Sequence, residues 1–256
     1  MEKATADSIR LMQSDSYSIF AQDILPALLS KIDPAALNAT QKEAFNITSK
    51  WNKFYDAKEI GASVFELWTK RLFYDIWDDE FTIAAIPMRY PSRDRTVQLI
   101  LNDPSSKWFD NINTKTVETL ADQVNESFKY VCDSLGRRYG PIGERWAWAN
   151  VKSTNVPHLA KIPGFGSKTL MIGGGKSTIN ALSETNGPSW RMVVELGKIP
   201  KGHGVYPGGQ SGNPGSPFYD NMIDTWADGK LYDLYLMKSA DDLSVKPLNH
   251  LTISKK

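Results

Sequence analysis

The sequence holds a single cysteine, Cys132, and three scattered histidines, His158, His203 and His250. One cysteine excludes an internal disulfide, and no thiol or imidazole stands at metal-ligand spacing from another, which argues against a zinc centre. An excess of either charge is also lacking: 30 Lys+Arg against 29 Asp+Glu leave a net charge of +1. That balance gives no electrostatic case for nucleic acid or an anionic membrane as a partner. Nowhere do about 18 apolar residues stand together, as a membrane span requires. The start, "MEKATADSIRLMQSDSYSIF", has no basic segment followed by an apolar run, so no export signal is visible. There is no fixed-period repeat and no low-complexity tail.

Large rings are present in number. Aromatic residues make up 11% of the chain and include eight tryptophans, which points to extensive packed surfaces rather than disorder. At 256 residues the chain can form one large domain or two modest ones with a substantial core.

Residues 1–160 read as mainly helical. Ile9, Met12, Ile19 or Phe20, and Ile24 recur at helical spacing, with Thr5 or Asp7 as N-cap, and Pro26 and Pro34 are expected to punctuate the chain after this first helix. So early a start of structure suits a piece of a longer polypeptide. Ala44, Ile47, Trp51 and Phe54 or Tyr55 form one stripe, and Val64, Leu67 or Trp68, and Leu72 another. Residues 80–113, interrupted by Pro87, Pro91 and Pro104, are expected to be irregular, anchored by Trp108 and Phe109. Val117, Leu120, Val124, Phe128, Val131 and Leu135 give the clearest helix, with Gly136 as its stop signal.

From 161 to 256 the chain turns to Gly, Pro and β-branched residues. "SKTLMIGG", "KSTINAL", "SWRMVVELG", "LYDLYLM" and "LNHLTIS" read as short strands between turn clusters. The run Met192, Val193, Val194 is apolar on both faces, as in a central covered strand. The predicted class is α+β, a helical half followed by a mostly antiparallel sheet half.

Several motifs suggest chemistry and fall short of it. "TLMIGGGKSTIN" holds Gly175, Lys176 and Ser177, but a phosphate loop needs a glycine five positions before Gly175, and Leu170 stands there. The glycines are better suited to a bend where the backbone comes close to a neighbour. "GGQSGNPGSPFYD" invites a hydrolase with Ser211 as nucleophile and His250 as base, but Asn213 replaces the last glycine of the elbow and no strand-to-helix context surrounds it. Cys132, inside the best helix, reads as a small buried hydrophobe. His158 reads as a packing or hydrogen-bonding residue, and His203 falls in a loop, "KGHG". The acidic run in "WDDE", 77–80, reads as a solvated helix end, since no calcium-loop pattern comes after it. Trp146 and Trp148 in "RWAWAN" could stack a sugar or base in a binding module without chemistry, but are expected in the core.

In order along the chain, "SDSYSIFAQDILPALLS", "WNKFYDAKEIGASVFELW", "VETLADQVNESFKYVCDSLGRRYG", "RWAWAN", "HLAKIPGFG", "GGGKSTINA", "NGPSWRMVVELG" and "YPGGQSGNPGSPFYDNMIDTWADGKLYDLYL" resemble the C-terminal part of the β chain of the penicillin acylase (penicillin amidase) family. "GPSWRMVVEL" and "GGQSGNPGSPFYD" are the most specific segments, and the resemblance covers essentially residues 1–256. It implies a partial αββα N-terminal-nucleophile hydrolase fold. In such enzymes an N-terminal serine attacks the amide, its own α-amino group acts as base, and a backbone N–H with an asparagine side chain forms the oxyanion hole.

The resemblance further implies that this apparatus, and the family's calcium-binding acids, lie outside the matched region. No catalytic, cofactor or metal residue is therefore assigned to this chain. Expected partners are the α chain and the N-terminal part of the β chain, with a small-molecule amide such as penicillin as substrate. A periplasmic or secreted location is implied for the parent enzyme. The chain alone is expected to be inactive, with Met192 to Leu196 in a sheet that has too few neighbours or one side uncovered.

Overall fold

The computed structural model describes residues 4–83, 86, 88–239, 241, 242, 245 and 251–255. The chain forms two compact units, Asp15–Gly187 and Met1–Ser14 with Pro188–Lys256.

The larger unit is built on helices α2 (Ile19–Leu29), α3 (Ala39–Lys50), α4 (Ile60–Thr82), α5 (Arg93–Asn102), α6 (Leu120–Tyr139) and α7 (Trp148–Lys152). Local chemistry sets the helix starts. The Ser18 hydroxyl accepts from the Ala21 N–H, and Asn38 with Gln41 and Thr119 with Asp122 form reciprocal capping boxes. Helix α4 packs against α3 and α6 and buries Phe65, Trp68, Leu72 and Ile76 completely. Each such side chain contributes about 1.5–3 kcal/mol by leaving water. The Trp68 and Phe128 rings meet at 4.9 Å, and the Trp68 indole N–H donates to Ser127 Oγ at 3.1 Å.

Helix boundaries depart from expectation in four places. No single helix runs through Ile9, Met12, Ile19 and Ile24, because residues 14–18 are not helical. Pro26 lies inside α2, because burial of Ile24, Leu25 and Leu28 outweighs one lost backbone hydrogen bond. Residues 93–102 are helical: Pro91 and Pro104 bracket α5, and Ser92 caps it. Gly136 does not stop α6, which continues to Tyr139 and ends at Gly140, where φ is +80°.

The smaller unit combines helix α1 (Ala6–Gln13), capped by Thr5, with strands β1 (Arg191–Glu195), β2 (Lys201–Val205) and β3 (Tyr232–Leu234) and helix α8 (Ile223–Ala227). The sheet is antiparallel in the order β1-β2-β3, so β1 is an edge rather than a central strand. Met192 and Val194 are exposed while Val193 is buried. The segments around 168–182 are not strands: residues 176–180 form a turn and bends, and isolated backbone bonds hold the stretch, among them the Leu170 N–H donating to Thr154 and the Asn180 N–H to Asp15. Residues 251–255 form no strand, and residues 248–250 of that expected element lie outside the described residues.

Candidate functional site

The glycine-rich turn of the larger unit is tied to residues far away in sequence. A Cβ on Gly173 would lie 2.6 Å from the Tyr55 carbonyl oxygen, and one on Gly175 would lie 2.9 Å from the Tyr55 ring. Gly174 has φ +79°, the left-handed region that glycine enters without a steric cost. These residues are glycines because the turn closes onto Tyr55.

The polarity of the turn is the reverse of a phosphate cradle. The Gly174 N–H donates to the Tyr55 carbonyl at 2.8 Å and the Gly175 N–H to the Asn180 carbonyl at 3.2 Å, so neither amide faces an open cavity. The carbonyls point inward instead. Gly174 accepts from the Trp148 indole N–H at 2.7 Å and from Lys152 Nζ at 3.1 Å, and Gly173 accepts from Lys152 Nζ at 2.5 Å. An arrangement of inward carbonyls holds a cation, and the cation is Lys152 itself. Burial lowers the Lys152 pKa to about 7. Around this clamp, Tyr55 packs edge-on to Trp148 and donates to Glu66 at 2.8 Å; burial, then the Glu66 charge, holds its phenol well above the ordinary range. Lys176 is exposed, and Ser177 accepts from Arg93.

The remaining sequence candidates are dispersed. Trp146 and Trp148 are both buried, so they cannot stack a sugar or a base. Cys132 is fully buried, and burial pushes its thiol up to about 12, which leaves no thiolate for chemistry. His158 accepts from the Ala160 N–H and packs against Phe165. The acidic run is not simply solvated: Asp79 is buried and accepts from the Ile112 N–H at 2.8 Å, and Glu80 is raised to about 7 by burial and then by its hydrogen bond to Asp79. Asp78 accepts from Tyr90.

In the smaller unit, Ser211 sits in a tight turn, where its Oγ accepts from the Asn213 N–H at 3.1 Å and its own N–H donates to Phe218. Its proposed base, His250, lies outside the described residues. His203 is in strand β2, not a loop, with Nδ1 2.8 Å from Asp233 of β3 and Nε2 3.6 Å from Glu195 of β1. The two ring nitrogens face different carboxylates, so the three groups do not converge on one point. Among the described residues, no three His, Cys, Asp or Glu side chains are arranged to hold a metal, and these residues do not fit a calcium site.

Sequence reading missed Lys152 and β2. A lysine four residues after a tryptophan in a short helix is ordinary, and only its distant glycine partners make it unusual. Strand β2, "KGHGV", carries two glycines and a histidine, which are poor strand formers alone.

Residues 1–242 match penicillin amidase. The acyl-homoserine lactone acylase QuiP of Pseudomonas syringae pv. syringae (strain B728a) is 25% identical over 218 residues, 77% of this chain and 26% of that protein. QuiP of Pseudomonas fluorescens (strain Pf0-1) is 23% identical over 271 residues, 91% of this chain and 31% of that protein. Among solved structures, the thermostable penicillin G acylase from Alcaligenes faecalis superposes with a TM-score of 0.53 at 12% identity, covering 99% of this chain and 50% of that one. The chain thus spans about a quarter to a third of the length of these curated relatives, and it belongs to the penicillin amidase family.

Proposed function

We propose that this chain is the C-terminal share of an acylase that hydrolyses the amide of an N-acyl compound, and that it supplies framework rather than chemistry. The observation that carries this reading is the family match over residues 1–242 in a chain about a quarter to a third as long as its curated relatives. The names of the relatives, acyl-homoserine lactone acylase and penicillin G acylase, share one substrate chemistry: an acyl group joined through an amide to an amine that bears a small ring. The partners are the α chain and the N-terminal part of the β chain, and the location of the parent enzyme is periplasmic or secreted.

A framework role is supported by the state of the nucleophile candidates. Ser211 Oγ is engaged within its own turn, the Cys132 thiol is buried, and Lys152 is tied to two carbonyls. Among the described residues, none of them has the adjacent base or depressed pKa with open access that activates a nucleophile. The test is incubation of the pure chain with a chromogenic N-acyl anilide, alone and mixed with the rest of the parent polypeptide. Hydrolysis is expected only in the mixture. Turnover by the chain alone that disappears in Ser211→Ala would overturn the proposal in favour of a serine hydrolase.

A further inference from the structure

The sheet of the smaller unit presents its faces in the reverse of the order expected for a sheet that meets water on one side. Register places Arg191, Val193, Glu195, Lys201, His203 and Asp233 on one face. That face holds the sheet's charges, yet Val193 and Val205 on it are buried, and Val193 and His203 line a cavity together with Ala6, Asp7 and Arg10 of α1. The opposite face pairs Met192 with Gly204 and Tyr232, and Val194 with Gly202 and Leu234. It carries no charged side chain. Val194 is 41% exposed, Leu234 38% and Met192 47%.

On this face β2 contributes only glycines, and the Trp190 and Leu234 side chains lie over them. The Trp190 ring lies over Gly204, where a Cβ would come within 2.7 Å of it. Gly202 is half-exposed, and a Cβ there would stand 3.3 Å from Leu234 Cβ, so the Leu234 side chain leans over this backbone beside Val194. Exposed Leu196 and Leu236 extend the apolar surface beyond the strand ends. A contiguous apolar face of this kind marks an interaction surface.

We propose that this face is the docking surface for an apolar segment of the parent acylase that lies outside this chain, which packs across the exposed side chains of Met192, Val194 and Leu234. The inference rests on the reading of the chain as part of a larger acylase. The occupant is assigned from two observations. The solved acylase has about as much chain again beyond the part that matches 99% of this one. A face without charge gives a charged partner nothing to pair with, so burying such a partner would cost its hydration without return.

The experiment mixes the chain with the separately expressed remainder of the parent polypeptide and reads co-elution and hydrolysis of an N-acyl anilide. Val194→Lys, alone and with Leu234→Lys, places charge on the open face; Lys201→Glu places it on the opposite face. Thermal melting of each variant alone confirms that it folds, since both altered positions are already solvated. Wild type and Lys201→Glu are expected to co-elute and restore hydrolysis, and the open-face variants to lose both at least about tenfold, as for a well-packed interface centre. Assembly of the folded double variant at the wild-type level would overturn the inference and leave the acylase reading intact. A dimer of this chain that Val194→Lys dissociates, with assembly onto the remainder unaffected, would also overturn it and make a second copy the occupant. No hydrolysis with the wild-type chain, at any concentration of the remainder, would remove the acylase reading and this inference with it.

Discussion

Lys152 Nζ lies 2.5 Å from the carbonyl oxygen of Gly173, and this contact replaces a carboxylate as the partner of a buried ammonium. Peptide dipoles stabilise the charge less than a full counter-charge does, and burial lowers the Lys152 pKa to about 7 from an ordinary 10.5. The unfolded chain therefore binds more protons than the folded chain between those values. Stability should rise with pH across that window, by at most about 1.4 kcal/mol per unit, and be flat below it. Lys152→Met should abolish the slope. Chemical denaturation of both proteins at pH 6 to 10 measures it, and equal slopes would show that Lys152 does not titrate in the folded state.

The inward carbonyls of Gly173 and Gly174 make the turn a geometric element, and two substitutions separate that role from phosphate binding. Gly174→Ala puts a Cβ 2.4 Å from the Asn180 carbonyl in a backbone with φ +79°, and should destabilise by about 1–3 kcal/mol. Lys176→Ala removes the exposed lysine that a phosphate loop would need and should change stability by less than about 0.5 kcal/mol. Calorimetric titration with ATP should give no heat for either the parent chain or Lys176→Ala. Saturable binding that is lost on removing Lys176 would restore the phosphate reading.

Much of the helical framework was legible because its signals are local. Thr5 caps a helix through its own side chain, and the stripe from Leu120 to Leu135 has one period throughout. What escaped depends on contacts between residues far apart in sequence. The Gly173–Gly175 segment reads as a bend in close approach to some neighbour, but nothing local says that the neighbour is Tyr55, more than a hundred positions earlier. Strand β2 exists because Arg191–Glu195 and Tyr232–Leu234 flank it, not because "KGHGV" favours a strand. Met192 and Val194 read as a covered central strand because apolar residues on both faces carry no mark of which face is open.

The acidic run at the end of α4 supplies the last prediction. The Asp79 carboxylate is fixed by the Ile112 N–H, and Glu80 beside it has its pKa raised to about 7, first by burial and then by the hydrogen bond and charge of Asp79. A carboxyl whose folded pKa exceeds its unfolded value of 4.5 holds its proton longer in the folded chain. Its contribution to stability is fully present below pH 4.5 and is lost as the pH rises to about 7. Glu80→Gln retains a hydrogen-bond donor toward Asp79 but cannot ionise. The stability of wild type relative to Glu80→Gln should therefore decline between pH 4.5 and 7 and remain constant above. Denaturant midpoints of the two proteins at half-unit pH intervals give the difference directly. A difference that does not vary with pH would mean that Glu80 ionises as it does in the unfolded chain, and that the Asp79–Glu80 pair shares no proton.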